Sequence, residues 1–200
     1  MPKIVDHDQY RKELLKQCFD LFAEKGYGSV TMRQIAQGLK VSTGTLYHYF
    51  PSKETLFEQL VEEISKQDIS TALAEMAGAK TIEEAMTALG RYLVRNEDYC
   101  IKWTYIWVNF CQHQGAKEVQ NNIVFRRVNR RYQQAICDFL GIQDIVLASF
   151  VLSLVNGLIL EKLWCNEVIN IQEQCALLGK MLTAYLQQNQ VDKLVNCHNN

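Results

Sequence analysis

The chain has 200 residues, 48% of them hydrophobic and 22% charged, and its 21 basic side chains nearly balance 22 acidic ones. This composition is typical of a folded globular protein and argues against a disordered chain. Because there are only two prolines and ten glycines, helices can run long without interruption, and we expect an all-α protein. No glycine-, serine- or proline-rich linker is present, so any two domains would share a helix or pack directly.

The seven cysteines form no CxxC pair and have no histidine at metal-ligand spacing. We therefore expect reduced thiols, mostly in the core, with no metal site and no cofactor. They are Cys18, Cys100, Cys111, Cys137, Cys165, Cys175 and Cys197. The first residues lack a charged and then apolar leader, so no signal peptide and a cytoplasmic location are expected.

The first predicted helix covers Asp8 to Lys25 and has a broad apolar face. Gly26, preceded by Lys25 in the last turn, indicates where it ends. We expect this helix to support the two short helices that follow it.

Two short helices joined by a tight turn are predicted next. Thr31 is placed to cap the first of them, and Ser42 or Thr43 is placed to cap the second. The turn around Lys40 is short enough to hold the helices at a steep angle, which leaves the second free to enter a major groove. Apolar residues recur every three or four positions and form a shared core: Ile35, Ala36, Leu39, Val41, Leu46 and Phe50.

Positive charge is concentrated in the same segment. From Lys25 to Lys53 the basic residues meet no aspartate or glutamate, whereas the whole chain is nearly neutral. We interpret the segment as a surface that contacts DNA phosphates and reaches base edges, although an ordinary solvated surface is the alternative. The polar side chains that favour the first interpretation are Thr31, Ser42, Thr43, Thr45, Tyr47 and His48.

The segment VSTGTLYHYFPSKETLF, preceded by TMRQIA, resembles the DNA-binding signature of the TetR family of transcriptional regulators. The resemblance is specific in the N-terminal part of the chain and weak beyond it. It implies an N-terminal three-helix helix-turn-helix domain followed by a helical ligand-binding and dimerisation domain, in which a bound small molecule usually releases the operator. We accordingly predict a DNA-binding domain at 1–52, a regulatory domain at 53–190 and a flexible tail at 191–200.

Carried over by position, the resemblance implies that Thr31 and Lys53 contact phosphates and that Tyr47 packs on the DNA backbone. Residues implied at or near the groove are Arg33, Ser42, Thr43, Thr45 and His48. One departure from the family pattern is Lys40, which stands where the family usually has glycine. A non-glycine residue in the left-handed conformation costs about 1 kcal/mol, so either the turn differs or the strain is tolerated.

A long helix is predicted from Lys53 to about Met76, with Ser52 as its cap. Its first part would pack on the DNA-binding unit and its later part on the C-terminal body, so we hypothesise that it couples the two. A further helix is predicted from Thr81 to Asn96, with Glu84 placed for a capping box.

The most aromatic segment, EDYCIKWTYIWVNFCQHQG, is predicted to be a helix with one aromatic face. Such a face is usually part of a core. Alternatively it is the wall of a cavity for a flat or greasy molecule, an interpretation that the TetR resemblance favours. The predicted effector contacts are Tyr99, Trp103, Trp107, Phe110 and Cys111, with Asn156 from a later helix.

Another helix is predicted from Lys117 to Leu140. Its expected inward residues are Ile123, Val128, Tyr132, Ile136 and Phe139, while the orientation of Val124 and Phe125 is left open. We interpret its arginines as a solvated surface or as ion-pair partners of nearby acids, and a second nucleic-acid contact is the alternative. They are Arg126, Arg127, Arg130 and Arg131.

The longest uncharged run, IVLASFVLSLVNGLIL, is too short for a membrane span of about 20 residues. A helix that is apolar nearly all round must instead be covered by protein. The last helix is predicted from Ile171 to Gln188. We predict that these two helices form a four-helix interface with a second copy, as in TetR-like proteins. The alternative is that they only complete the core of one chain.

No catalytic residue is expected, because the sequence has no nucleophile paired with a base, no phosphate-binding glycine loop and no metal-ligand cluster. The favoured hypothesis is a ligand-responsive repressor whose partners are double-stranded DNA, a small hydrophobic or aromatic effector and a second copy of the chain. Two hypotheses remain beside it: a DNA-binding regulator without ligand control, and a transcriptional activator.

Overall fold

The computed structural model describes residues 6–163 and 169–198, with side chains up to residue 188. Within these ranges the regular structure is helical throughout, which confirms the all-α prediction. The helices are α1 His7–Lys25, α2 Met32–Gly38, α3 Thr43–Tyr49, α4 Lys53–Met76, α5 Ile82–Arg95, α6 Glu97–Gln114, α7 Ala116–Asn121, α8 Ile123–Leu140, α9 Ile145–Glu161 and α10 Ile171–His198.

Side-chain caps determine where the short N-terminal helices begin. The Thr31 hydroxyl accepts from the Gln34 N–H, and the Gln34 side chain accepts in return from the Thr31 N–H at 2.9 Å, which makes a capping box. Ser42 caps α3 and Ser52 caps α4, each accepting from the amide three positions on, at 2.9 and 3.0 Å. These caps confirm the predicted starts of all three helices.

Two predicted helices differ from those observed. The segment predicted as one helix from Lys117 to Leu140 is broken at Asn122, whose Oδ1 accepts from the amides of the first turn of α8. The prediction that Ile123 points inward is wrong, because 73% of it is exposed, whereas Phe125 is buried. The last helix extends to His198 instead of ending at Gln188.

The chain divides into two compact units. The first contains the residues up to Asp68 together with Lys102–Gln134, and the second contains Ile69–Ile101 together with the chain from Ala135 onward. This is a division by compactness, and its boundaries fall inside helices. The functional boundaries predicted from the sequence, at 52 and 190, stay predictions.

The core of the first unit is built around aromatic rings. Phe57 of α4 stacks on Phe110 of α6 with ring centroids 3.9 Å apart, and the fully buried Tyr27 packs edge-on against both. Aliphatic residues of α1, α2 and α3 complete this core, among them Leu14, Leu15, Ile35, Leu46 and Leu60.

A polar seam joins α4 to α8 within the first unit. Glu62 forms ion pairs with Arg127 at 2.5 Å and with Arg131 at 3.7 Å. Arg131 also donates to the hydroxyl of Ser65, which is buried. The interpretation of the α8 arginines as ion-pair partners of nearby acids is therefore confirmed for two of the four.

The core of the second unit lies largely between α5 and α10, which pack side by side. Leu178 and Leu182 of α10 are buried against Met86 of α5 and its neighbours. Both leucines thus lie on the side of α10 that faces α5. Tyr185, farther along α10, is 47% exposed.

Two glycines allow α5 and α10 to approach closely. A Cβ added at Gly90 would lie 2.9 Å from the Cβ of Cys175, and one added at Gly179 would lie 2.9 Å from the Cα of Glu83. Carbon atoms in van der Waals contact are about 3.5 to 4.0 Å apart. The two helices can therefore pack at this distance only because both positions lack a side chain.

Burial makes the cysteine thiols in both cores unreactive. It raises the pKa of the Cys18 thiol to about 12 and that of Cys175 to about 11, so both stay protonated and unreactive at neutral pH. The cysteines with described side chains form no disulfide. Cys165 lies outside the described residues, as does the side chain of Cys197.

One face of α9 is not covered by other helices of the same chain. Val146 is 76% exposed, and Ile145 and Phe150 are each 49% exposed. The expectation that protein covers this helix on all sides is therefore not met within one chain. No single described helix has the length and apolar character to cross a membrane, although α8 and α9 taken as one bent pair meet those criteria together.

Replacing Gly179 with alanine is expected to lower the free energy of unfolding by about 1 to 3 kcal/mol through overpacking. Alanine favours helix by about 1 kcal/mol, so the contact with the α5 backbone must outweigh that gain. Urea unfolding followed by circular dichroism measures the change. Gly78→Ala is the control, because nothing lies within 4 Å of a Cβ added there; equal stability of the two variants would contradict the close packing.

Candidate DNA-binding surface

The turn between α2 and α3 is short and strained. Lys40 has a φ of 56°, the only left-handed non-glycine residue in the described ranges, so the strain considered from the sequence is present. The Val41 N–H donates to the Ala36 carbonyl at 3.0 Å and closes the turn. A left-handed residue at this point reverses the chain within a few positions, and α3 can pack directly on α2.

The buried sides of α2 and α3 determine which side chains face outward. Ile35 of α2, Leu46 of α3 and the following Phe50 are fully buried. Since side chains three or four positions apart share one face of a helix, the intervening polar residues must point to solvent. The two helices thus present a continuous polar surface above an apolar core.

Most of the predicted DNA-binding residues lie on this surface. Those exposed are Thr31, Arg33, Ser42, Thr43, Tyr47 and His48, while Thr45 is half-buried with its hydroxyl 2.7 Å from that of Ser42. Thr31 and Ser42 serve as caps and remain accessible, so one side chain can cap its helix and also face a ligand. Lys53, like Thr45, is half-buried.

The start of α1 lies beside the predicted DNA-binding surface and brings to it residues that the sequence analysis did not identify. The Nδ1 atom of His7 lies 2.7 Å from the hydroxyl of Tyr49, and its ring lies 6.3 Å from that of His48. The contact joins residues far apart in the chain, and no local spacing pattern predicts it. It brings His7 and Tyr49 beside the predicted surface.

The ammonium group of Lys53 is bonded within the chain. Its Nζ donates to the backbone carbonyls of Tyr27 at 3.1 Å and Val30 at 3.0 Å, and it lies 4.3 Å from the centre of the Tyr27 ring. Burial lowers the pKa of Lys53, an effect that the carboxylate of Glu54 partly opposes. These contacts tie the start of α4 to the loop between α1 and α2.

The same loop also contacts α6. Asn109 Oδ1 accepts from the Gly28 N–H at 2.9 Å, and the Gln114 side chain donates to the Tyr27 hydroxyl at 3.2 Å. The Tyr27 hydroxyl donates in turn to a carboxylate oxygen of Glu54. Burial is the main reason that the pKa of Tyr27 is raised, so the hydroxyl keeps its proton and stays a donor.

The predicted effector residues fall in both units. Trp103, Trp107, Phe110 and Cys111 belong to the first unit and join its aromatic core. Trp107 lies edge-on to Phe125 with centroids 5.0 Å apart. Tyr99 and Asn156 belong to the second unit, and Asn156 is exposed there.

A cleft opens on the uncovered side of α9 and α10. Its volume is about 330 Å³, and one acidic residue, Asp144, lies at its edge. The other lining residues are apolar or aromatic: Val146, Leu147, Phe150, Leu178, Met181, Leu182 and Tyr185. Leu177 and Met181 of α10 are each about half exposed, so apolar surface continues around the cleft. Among the described residues, no group of three or more His, Cys, Asp or Glu side chains is placed to hold a metal ion.

Comparisons with known proteins agree with this geometry. Residues 14–60 match the model of the family described as bacterial regulatory proteins, tetR family. The chain is 27% identical over 195 residues to the HTH-type transcriptional regulator BetI of Rhizobium meliloti, covering 94% of this chain and 95% of that protein. It is 35% identical over 113 residues to the HTH-type transcriptional repressor KstR of Mycobacterium tuberculosis, covering 54% of this chain and 51% of the relative.

A solved structure shares the fold. The transcriptional regulator FadR of Bacillus subtilis, in complex with stearoyl-CoA, superimposes with a TM-score of 0.63 at 16% identity, covering 86% of this chain and 96% of FadR. The family match spans α1 to α3 and the start of α4, the same helices that form the capped polar surface. The N-terminal part of the chain therefore matches the tetR-family model, and over nearly its whole length the chain is similar to an HTH-type transcriptional regulator.

Proposed function

We propose that the chain is a repressor that binds a palindromic operator as a homodimer and is released by a small hydrophobic or aromatic effector. The observation that carries the DNA-binding part is the capped α2–α3 pair, with a polar face above a buried apolar core. KstR, a relative named as a transcriptional repressor, supports repression. A DNA target would support the expected cytoplasmic location.

The DNA contacts are proposed to divide between the two short helices. Thr31, which caps α2, is exposed and suits a phosphate contact. Arg33, also exposed on α2, is proposed to lie at or near the groove. The residues of α3 suit the groove. They are Ser42, Thr43, Thr45 and His48, with Tyr47 against the DNA backbone.

The uncovered face of α9 and α10 supports a homodimer. Phe150 and Met181 are about half exposed, and both line the apolar cleft. Contiguous exposed apolar surface of this kind usually marks an interface. A two-fold dimer through this face would present two helix-turn-helix units to one duplex, with half-sites about 34 to 36 Å apart.

The double variant Tyr47→Ala, His48→Ala is expected to weaken operator binding at least about tenfold, or about 1.4 kcal/mol, because two exposed side chains of α3 are lost. Fluorescence anisotropy measures this on the duplex that the wild-type chain selects from a randomised library. Tyr105→Ala, which removes an exposed tyrosine of α6, is the control. Unchanged affinity of the double variant in an intact dimer would show that another surface binds DNA.

Introducing charge on the α9–α10 face should dissociate the dimer. In the variant Phe150→Glu, Met181→Glu, two carboxylates would have to be desolvated in an apolar interface. We expect a folded monomer by sedimentation equilibrium. Leu73→Glu, at an exposed position of α4, should sediment as the wild type does. If the double variant stays dimeric, the dimer interface lies elsewhere on the chain.

The effector is proposed to contact the aromatic residues of α6. Trp103 and Trp107 are half-buried and offer wide apolar faces with polar N–H groups. The predicted set also includes Tyr99, Phe110, Cys111 and Asn156. FadR, which shares the fold, holds stearoyl-CoA, so long-chain acyl-CoA esters and flat aromatic compounds are the first ligands to test.

A regulator without ligand control is the second candidate, and one observation favours it. The rings of Phe57, Trp107, Phe110 and Phe125 pack against one another. Rings in mutual contact leave less space for a ligand among them. The two candidates therefore differ in whether Trp107 recognises an effector or only fills the core.

Replacing Trp107 with alanine distinguishes the two candidates. If it contacts an effector, the concentration of compound that releases half of the DNA should change about tenfold, within the range of allosteric coupling, while DNA affinity without compound stays close to wild type. The control is Val108→Ala, an exposed neighbour on α6. If Trp107→Ala only loses thermal stability, and no compound releases the wild-type chain from DNA, the regulator without ligand control is favoured.

A further inference from the structure

The loop between α1 and α2 determines where the helix-turn-helix begins. It runs from Gly26, which ends α1 with a φ of 78°, to Val30, which precedes the capping residue Thr31. Tyr27 and Val30 are buried, so the loop is anchored at both ends by its own side chains. Any displacement of this loop would displace α2, and with it the residues proposed to meet DNA.

Lys53 holds this loop from the side of α4. Two of its three ammonium hydrogens are used in the bonds to the Tyr27 and Val30 carbonyls, and the ring of Tyr27 lies beside the charge. These are the carbonyls near the two ends of the loop. A lysine that contacts a phosphate would need its ammonium in solvent, whereas this group is half-buried and has a lowered pKa because of that burial.

Asn109 holds the same loop from the side of α6. Its Oδ1 accepts from the Gly28 N–H at 2.9 Å, and a Cβ added at Gly26 would lie 3.3 Å from that oxygen. The backbone of the loop therefore lies directly against this side chain. Carbonyls and an amide of one short loop are thus bonded by side chains of two separate helices.

We propose that Lys53 and Asn109 are positioning residues for DNA binding, which hold the loop at residues 26–30 in place, and that Lys53 does not contact a phosphate. The proposal rests on the proposed DNA-binding function. It replaces the phosphate contact that the family resemblance implied for Lys53. In this arrangement the two residues determine the position of α2 and α3 through the loop.

The salt dependence of DNA affinity separates positioning from phosphate contact. Each lost phosphate contact lowers the slope of log affinity against log salt by about 0.9, or about 1.8 for a dimer. With the duplex selected by the wild-type chain as probe, Lys53→Met should bind about tenfold more weakly at every salt concentration, with the wild-type slope. Lys66→Met, an exposed lysine of the same helix, should match the wild type in both.

Asn109→Leu provides the second measurement, because this residue carries no charge and its loss cannot mimic a lost phosphate contact. It should also weaken binding with an unchanged slope, and it decides the question if Lys53→Met does not fold. Circular dichroism establishes that each variant is folded at the temperature of the assay.

A reduced slope for Lys53→Met, with the wild type still binding, would overturn the positioning role alone. Wild-type affinity in both folded variants would overturn it as well, because the loop contacts would then only stabilise the fold. Failure of the wild-type chain to select any duplex would overturn the proposed function, and the positioning role with it.

Discussion

The first unit depends on the packing of three rings, with Phe57 stacked on Phe110 and Tyr27 edge-on to both. Each ring comes from a different element: α4, α6 and the loop between α1 and α2. Aromatic pairs prefer these stacked and edge-on arrangements and bury large areas. Because the ring of Tyr27 is fully buried, its backbone and hydroxyl must find partners at the same place. Lys53 and Gln114 supply them.

This packing explains how seven-residue helices can present a stable surface. Isolated helices of this length are marginal in water, so α2 and α3 rely on caps and on burial of one face. The hydroxyls of Thr31 and Ser42 accept from backbone amides at the helix starts that would otherwise lack partners. Lys40, in the left-handed conformation, makes the turn between the two helices. What remains exposed is polar, and the segment carries basic charge without acidic neighbours in sequence.

The second unit shows two kinds of helix packing. Between α5 and α10, Gly90 and Gly179 allow close approach, and the contact is complete within one chain. On α9 and the other side of α10, Val146 and Phe150 leave apolar surface exposed around a cleft. A chain of balanced charge with such a face would gain free energy by covering it, which is why the homodimer is the favoured proposal.

The sequence alone determined most of the helices, the caps of α2, α3 and α4 and the resemblance to the TetR family, because capping, apolar periodicity and the motif from Thr31 to Phe57 are local properties. It also identified which residues of α2 and α3 are exposed. Only the tertiary structure decided that Lys53 bonds to a loop, that His7 meets Tyr49 and that Ile123 points outward. These three features depend on contacts between residues distant in the chain. The spacing of residues within one helix does not specify which other element will pack against that helix.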